Sequence, residues 1–152
     1  MRSHAAHGSR WIQGAVALSV VVALGGSFLS ALRGAPSDTL YIKLGDLRSR
    51  AAEVREVAHN ARAERLTPTY VRAQAGEQLA PRIEKLRDDL ARSESRSEPG
   101  AAAARAAAER LLSATKALAE HGDTPPAAAS LEAEAGAVVD ALLQLERAAR
   151  PQ

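Results

Sequence analysis

The chain has 152 residues, 20 Lys/Arg, 18 Asp/Glu and no cysteine. This length accommodates one domain beside a hydrophobic segment, and the lack of cysteine excludes disulfides, thiolate metal sites and thiol nucleophiles. Residues 1–33 carry a charge of +3 and residues 34–152 a charge of −1, and the latter have only Tyr41 and Tyr70 as aromatics. Nucleic-acid binding is therefore excluded, because it needs a basic surface and stacking side chains.

The first predicted element is an uncharged run of 22 residues, 11–32, which follows a basic tail at residues 1–10. As a helix it would reach about 33 Å, enough to cross the hydrocarbon core of a bilayer. We therefore predict a transmembrane anchor at 11–32 and a linker at 33–37. The alternative is a cleaved signal peptide, because small residues place candidate cleavage sites after Gly25 and after Ser27.

Small residues recur every four positions along this run. Such a face lets membrane helices approach closely, so we predict that a protein partner or a second copy of the chain packs there. The alternative is that an alanine-rich sequence produces the pattern by chance. The candidate helix-packing face consists of Ala15, Ser19, Ala23, Ser27 and Ala31.

The flanking charges bear on the orientation of the anchor. Lys and Arg are almost equally frequent on the two sides, so the positive-inside rule comes close to a tie. The order of basic, apolar and small-residue regions resembles a signal sequence and favours export of the C-terminal part. We predict a single-pass protein of the inner (cytoplasmic) membrane whose C-terminal domain is extracytoplasmic, which in a Gram-negative bacterium means periplasmic.

The domain at residues 38–150 shows the apolar spacing of helices rather than the alternation of strands. Breaks at Thr67-Pro68, at 93–99 and at His121-Gly122 divide it into four helices. Pro81 predicts a kink in the second helix, because proline removes a backbone donor and clashes with the preceding turn. The predicted core positions are Leu40, Leu44, Leu47, Ala51, Val54, Ala58, Ala61, Val71, Ala75, Leu79, Ile83, Leu86, Leu90, Ala104, Ala108, Leu111, Thr115, Leu118, Leu131, Ala135, Val138, Leu142, Leu145 and Ala149.

Four helices with short connections are expected to run antiparallel. The predicted fold class is all-α: an N-terminal transmembrane helix followed by an antiparallel four-helix bundle. Extended coiled-coil hairpins are the alternative. Because alanine buries less area than leucine, we expect either modest stability or a face completed by a partner.

The candidate chemical groups are few. His59 and His121 have no neighbouring ligand on their own helices and are interpreted as structural or solvated. The acidic pairs Asp88/Asp89 and Glu132/Glu134 point to different helix faces and are interpreted as solvated. The arginines of the first helix are interpreted as partners of nearby glutamates on the same helix. We expect no enzymatic activity, no cofactor and no metal.

The predicted function is that of a non-enzymatic, membrane-anchored helical interaction or scaffold protein, an accessory subunit of an envelope complex. The expected partners are the membrane and either a protein or a second copy of the chain. The alternative is an extracytoplasmic helical bundle that senses or binds a small ligand in a pocket opened by Gly76 and Pro81. The sequence does not identify such a ligand.

Overall fold

The computed structural model describes residues 38–149, and every regular element in that range is a helix. The all-α prediction is confirmed for this part of the chain. A π-helical stretch, Ala73–Leu79, joins the second and third α-helices without a break. The α-helices are α1 (Asp38–Arg62), α2 (Pro68–Arg72), α3 (Ala80–Ser95), α4 (Ala101–His121) and α5 (Pro125–Ala149).

No helix within residues 38–149 has the length and apolar character needed to cross a membrane. The tail at 1–10, the predicted anchor at 11–32 with its small-residue face, and the linker at 33–37 lie outside the described residues. The membrane span and the packing of its small-residue face therefore stay predictions.

One core cluster receives side chains from every helix. All predicted core residues with a described side chain are buried except Leu86, which packs half-buried against the cluster. α1 packs most extensively on α5, and α3 on α4. Contacts join the start of α1 to the ends of α3 and α5, so α1 runs antiparallel to both. Extended separate hairpins would lack such a shared core.

The predicted irregularity near Pro81 takes the form of the π-helical stretch. Pro81 has no N–H to bond back along the helix, and its ring would clash with the carbonyl one turn earlier. The wider π turn absorbs this conflict, and the N–H of Ala80 bonds to the carbonyl of Ala75. Core positions 71, 75, 79 and 83 are spaced by four, so the wider turns also keep them on one face.

α1 ends at Arg62, before the predicted break at Thr67-Pro68. Glu64 adopts a left-handed conformation with φ 55°, and the N–H of Arg65 reaches back to the carbonyl of Asn60 at 2.9 Å. This bond closes the helix end in the manner of a Schellman motif, although a glutamate stands where glycine is usual.

Gly122 ends α4 as predicted, but its backbone is not left-handed, because φ is −71°. Space explains the glycine instead. A Cβ atom at this position would lie 2.4 Å from the Leu118 carbonyl oxygen and 3.1 Å from Val71 Cγ1. Gly122 is therefore packed too tightly against the last turn of α4, and closely against Val71 of α2, for a side chain to fit.

Candidate functional site

A ladder of side chains runs along the seam between α1 and α5. The core residues of both helices occupy heptad positions a and d, and three residues seven apart on each helix occupy the e positions that follow d. Each step forward along α1 is matched by an equal step back along α5. We call this set the α1–α5 ladder; it consists of Arg48, Arg55 and Arg62 on α1 and Glu146, Val139 and Glu132 on α5.

The first rung joins Arg48 to Glu146. Arg48 Nη1 donates to Glu146 Oε2 at 2.5 Å, and the side chains are 42% and 7% exposed, respectively. The other carboxylate oxygen, Oε1, is buried without a hydrogen-bond partner among the described residues. Since a buried carboxylate is costly unless it is paired, Arg48 supplies the compensation that lets Glu146 occupy this position.

The last rung joins two α1 side chains to one carboxylate. Arg62 Nε lies 3.0 Å from Glu132 Oε2, and His59 Nδ1 lies 3.0 Å from Glu132 Oε1. His59 can donate this hydrogen bond only when Nδ1 carries a proton. The Glu132 side chain is only 18% exposed, so its interpretation as a solvated residue is wrong. The neighbouring core residue Leu131 explains this, because it holds Glu132 at the edge of the interface.

The middle rung is mismatched. Val139 stands where the other two rungs have glutamate, and Arg55 forms no ion pair with any residue that the structure describes. Arg55 lies over α5, because a Cβ atom at Gly136 would be 3.9 Å from its Cδ and Nε atoms. The ladder thus has two filled rungs and one unmatched cation between them.

Two adjoining depressions of about 340 and 460 Å³ flank this mismatch, and both are open to solvent. Their walls carry no serine or threonine that could serve as a nucleophile beside His59. The charges of Arg55 and Arg62 are offset by Glu56, Glu132 and Asp140. The lining residues are Ala52, Arg55, Glu56, His59, Arg62, Ala129, Glu132, Ala133, Gly136, Ala137, Val139 and Asp140. The groove therefore combines opposite charges along a helix interface.

A further polar contact fixes the start of α1 against α3. Lys43 Nζ donates to Ser93 Oγ at 2.9 Å and to the Asp89 carbonyl oxygen at 3.0 Å. Ser93 is fully buried, so this contact also satisfies its hydroxyl group. α1 is consequently tied to α3 and α5 at the same end of the bundle.

Comparison of the chain with protein-family models, with curated proteins and with solved structures finds no match.

The other predicted polar residues have separate local roles. Asp88 accepts from Arg87, and this hydrogen bond raises the pKa of the Arg87 guanidinium, which stays charged. Asp89 pairs with Arg92 of its own helix. His121 is exposed at the end of α4, beside Glu120. The structure therefore brings only His59 and Glu132 together among the predicted histidines and acidic residues.

The structure also bears on the α1 arginines, on Gly76 and on the metal-ligating side chains. The arginines of α1 pair only in part along their own helix, since Arg48 and Arg62 reach across to α5. Gly76 opens no pocket at its position, because a Cβ atom there would lie 3.4 Å from Ala119 Cβ. Within residues 38–149, no group of three His, Cys, Asp or Glu side chains is arranged to hold a metal ion.

Sequence reasoning missed Lys43, Arg48 and Glu146 as cross-helix ties. A signal for them exists, because each is directly adjacent to a core leucine: Leu44, Leu47 and Leu145, respectively. Charged residues that flank the core positions of a heptad commonly pair across helices. The signal does not say which neighbouring helix supplies the partner.

The mismatched rung gives a direct test of the ladder. Val139→Glu should couple to Arg55 with about 0.5–1 kcal/mol, as expected for a partly exposed ion pair. A double-mutant cycle with Arg55→Gln, measured by urea denaturation of the full chain in mild detergent, isolates this term. The Arg62–Glu132 pair, taken through the same cycle, is the matched control. A coupling energy of zero at 55/139 beside a measurable one at 62/132 would contradict the register.

Proposed function

We propose that the chain is a non-enzymatic, single-pass membrane protein whose helical bundle stands on the periplasmic side of the inner membrane. In this role it is an interaction or scaffold protein, an accessory subunit of an envelope complex. The bundle presents surfaces to partners, while the segment at 11–32 holds it at the bilayer.

The observation that supports this function is that buried and half-buried charged side chains in the described part pair between helices. The most buried ionisable side chain, Glu146, pairs across helices, and so does the half-buried Glu132. Arg105 of α4 likewise reaches Glu94 of α3, with its Nε 2.6 Å from the carboxylate. These groups fix the helices relative to one another, as a rigid interaction module requires.

The experiment that tests the role is recovery of partners from mild detergent, followed by mass spectrometry. Ser19→Leu with Ala23→Leu fills the small-residue face and should lower recovery of a specific partner about tenfold, which corresponds to about 1.4 kcal/mol of lost packing. Ala17→Leu with Val21→Leu is the matched control, because these positions are offset from the face by about 200°.

The two variants make the experiment decisive. If the chain is an accessory subunit, the control pair retains the partner that the first pair loses. Equal recovery by both variants would remove the membrane face from the proposal. If no specific partner or second copy is recovered with the parent chain, the proposal itself fails. A thermal-shift screen with small molecules then tests the ligand-binding alternative.

A further inference from the structure

The first turn of α1 carries two large apolar side chains that the fold leaves uncovered. Tyr41 is 40% exposed and Ile42 is 64% exposed. Among the described residues, the other large apolar side chain exposed to this degree is Tyr70. Gly45 lies one turn further along α1, and a Cβ atom there would meet nothing within 4 Å. The surface formed by Tyr41, Ile42 and Gly45, here called the α1 patch, is therefore open.

Tyr41 of this patch lies one step before the first rung of the α1–α5 ladder. Tyr41 lies seven residues before Arg48 and so occupies the preceding e position of α1. On this register, the position that would face Tyr41 lies outside the described residues of α5.

The distance to the predicted anchor limits what can cover the patch. Linker residues 33–37 span at most about 18 Å when fully extended, and the rise of α1 from Asp38 to Ile42 adds about 6 Å. The headgroup layer on each side of a bilayer is about 5–8 Å thick. If 11–32 spans the membrane, the first turn of α1 starts within reach of that layer.

We infer that the α1 patch docks on the surface of the membrane that holds the anchor. This inference rests on the anchoring in the proposed function. The tyrosine ring suits the headgroup level, where its hydroxyl stays hydrated, and the isoleucine side chain enters the boundary of the acyl chains. The bundle is then held by two contacts with the bilayer, the anchor and the first turn of α1.

The charges near the patch identify the kind of lipid surface that it suits. Asp38 and Asp46 are exposed on the same part of α1, whereas Lys43 is engaged by Ser93 and the Asp89 carbonyl. Within residues 38–149, the patch therefore has no free basic cluster to select anionic lipids. Docking is driven by apolar burial, takes place on a neutral phospholipid surface and persists at high salt.

The test is lipid quenching of a tryptophan placed in the patch. The full chain with Trp11→Phe, which removes its only tryptophan, is reconstituted into phosphatidylcholine vesicles with brominated acyl chains. Tyr41→Trp should lose more than half of its emission relative to unbrominated vesicles, at low and at high salt. Tyr70→Trp is the matched control, since it is 51% exposed at the opposite end of the bundle. Its emission should not change.

Flotation of the same vesicles separates the possible failures. If the protein does not float with lipid, anchoring fails, and docking fails with it. If it floats but the tryptophan at 41 is not quenched, the docking inference is overturned while anchoring stands. A blue shift at 41 without quenching identifies a protein surface, such as a second copy, as the occupant and also overturns docking. Circular dichroism confirms that both tryptophan variants fold.

Discussion

Arg48→Met is expected to lower the free energy of unfolding by about 2 kcal/mol, because it leaves a buried carboxylate without a cation. Glu146 is only 7% exposed, and its Oε1 atom has no other partner among the described residues. Complete removal of a buried partner costs about 3–5 kcal/mol, and the value is reduced here because Arg48 is itself 42% exposed.

The opposite substitution should be nearly harmless. Glu146→Leu leaves Arg48 free to turn toward water and adds apolar contact, so its stability should stay within about 1 kcal/mol of the parent. The double variant, Arg48→Met with Glu146→Leu, should recover most of the loss. Urea denaturation of the full chain in mild detergent, followed by circular dichroism, measures all three variants. Equal losses for the two single variants would show that the pair is not buried asymmetrically.

Gly122→Ala is expected to destabilise the bundle by about 1–3 kcal/mol, as small-to-large changes in packed sites do. The added methyl group would lie 2.4 Å from the Leu118 carbonyl oxygen and 2.7 Å from Leu118 Cδ1. The nearest obstacle is the backbone of Leu118, so the turn between α4 and α5 must shift away from the end of α4 to admit the methyl group.

Gly45→Ala is the matched control, and its effect should have the opposite sign. Gly45 lies inside α1 with open space around it, so alanine adds helix propensity without a clash. The gain should be about 0.4–1 kcal/mol. Thermal unfolding of the two variants at equal protein and detergent concentrations makes the comparison. A stabilising Gly122→Ala would contradict the close packing of Gly122 against Leu118.

The core of the bundle was predictable because the spacing of apolar residues in one sequence shows which side of each helix is buried. Leu40, Leu44 and Leu47 already follow the heptad spacing, and all are buried. The ladder was predictable only in part. The heptad places Arg48 beside the core, but its pairing with Glu146 depends on the axial register of α5 against α1, which no local pattern specifies.

Other features arise from contacts that are distant in sequence. The sequence predicted a helix break at Gly122, whereas the need for glycine there comes from the close approach of Leu118 and, less closely, of Val71 of α2. Pro81 predicted a kink in the second helix. The structure has π turns just before Pro81 instead, and these turns keep Ala75 and Leu79 in the core. Glu132 was interpreted as solvated from sequence, because its partners, His59 and Arg62, belong to another helix.

Because the chain runs along the bundle four times, both ends of the described part lie at the same end of the bundle. Asp38 and Ala149 share one end, whereas the turns after Arg62 and after His121 share the other. α1 has 25 residues and is therefore about 37 Å long. A partner held at the far turns stands about that far from the first residue of α1. A reporter fused after α5 stays at the near end, and one inserted at residue 64 or 123 is carried to the far end.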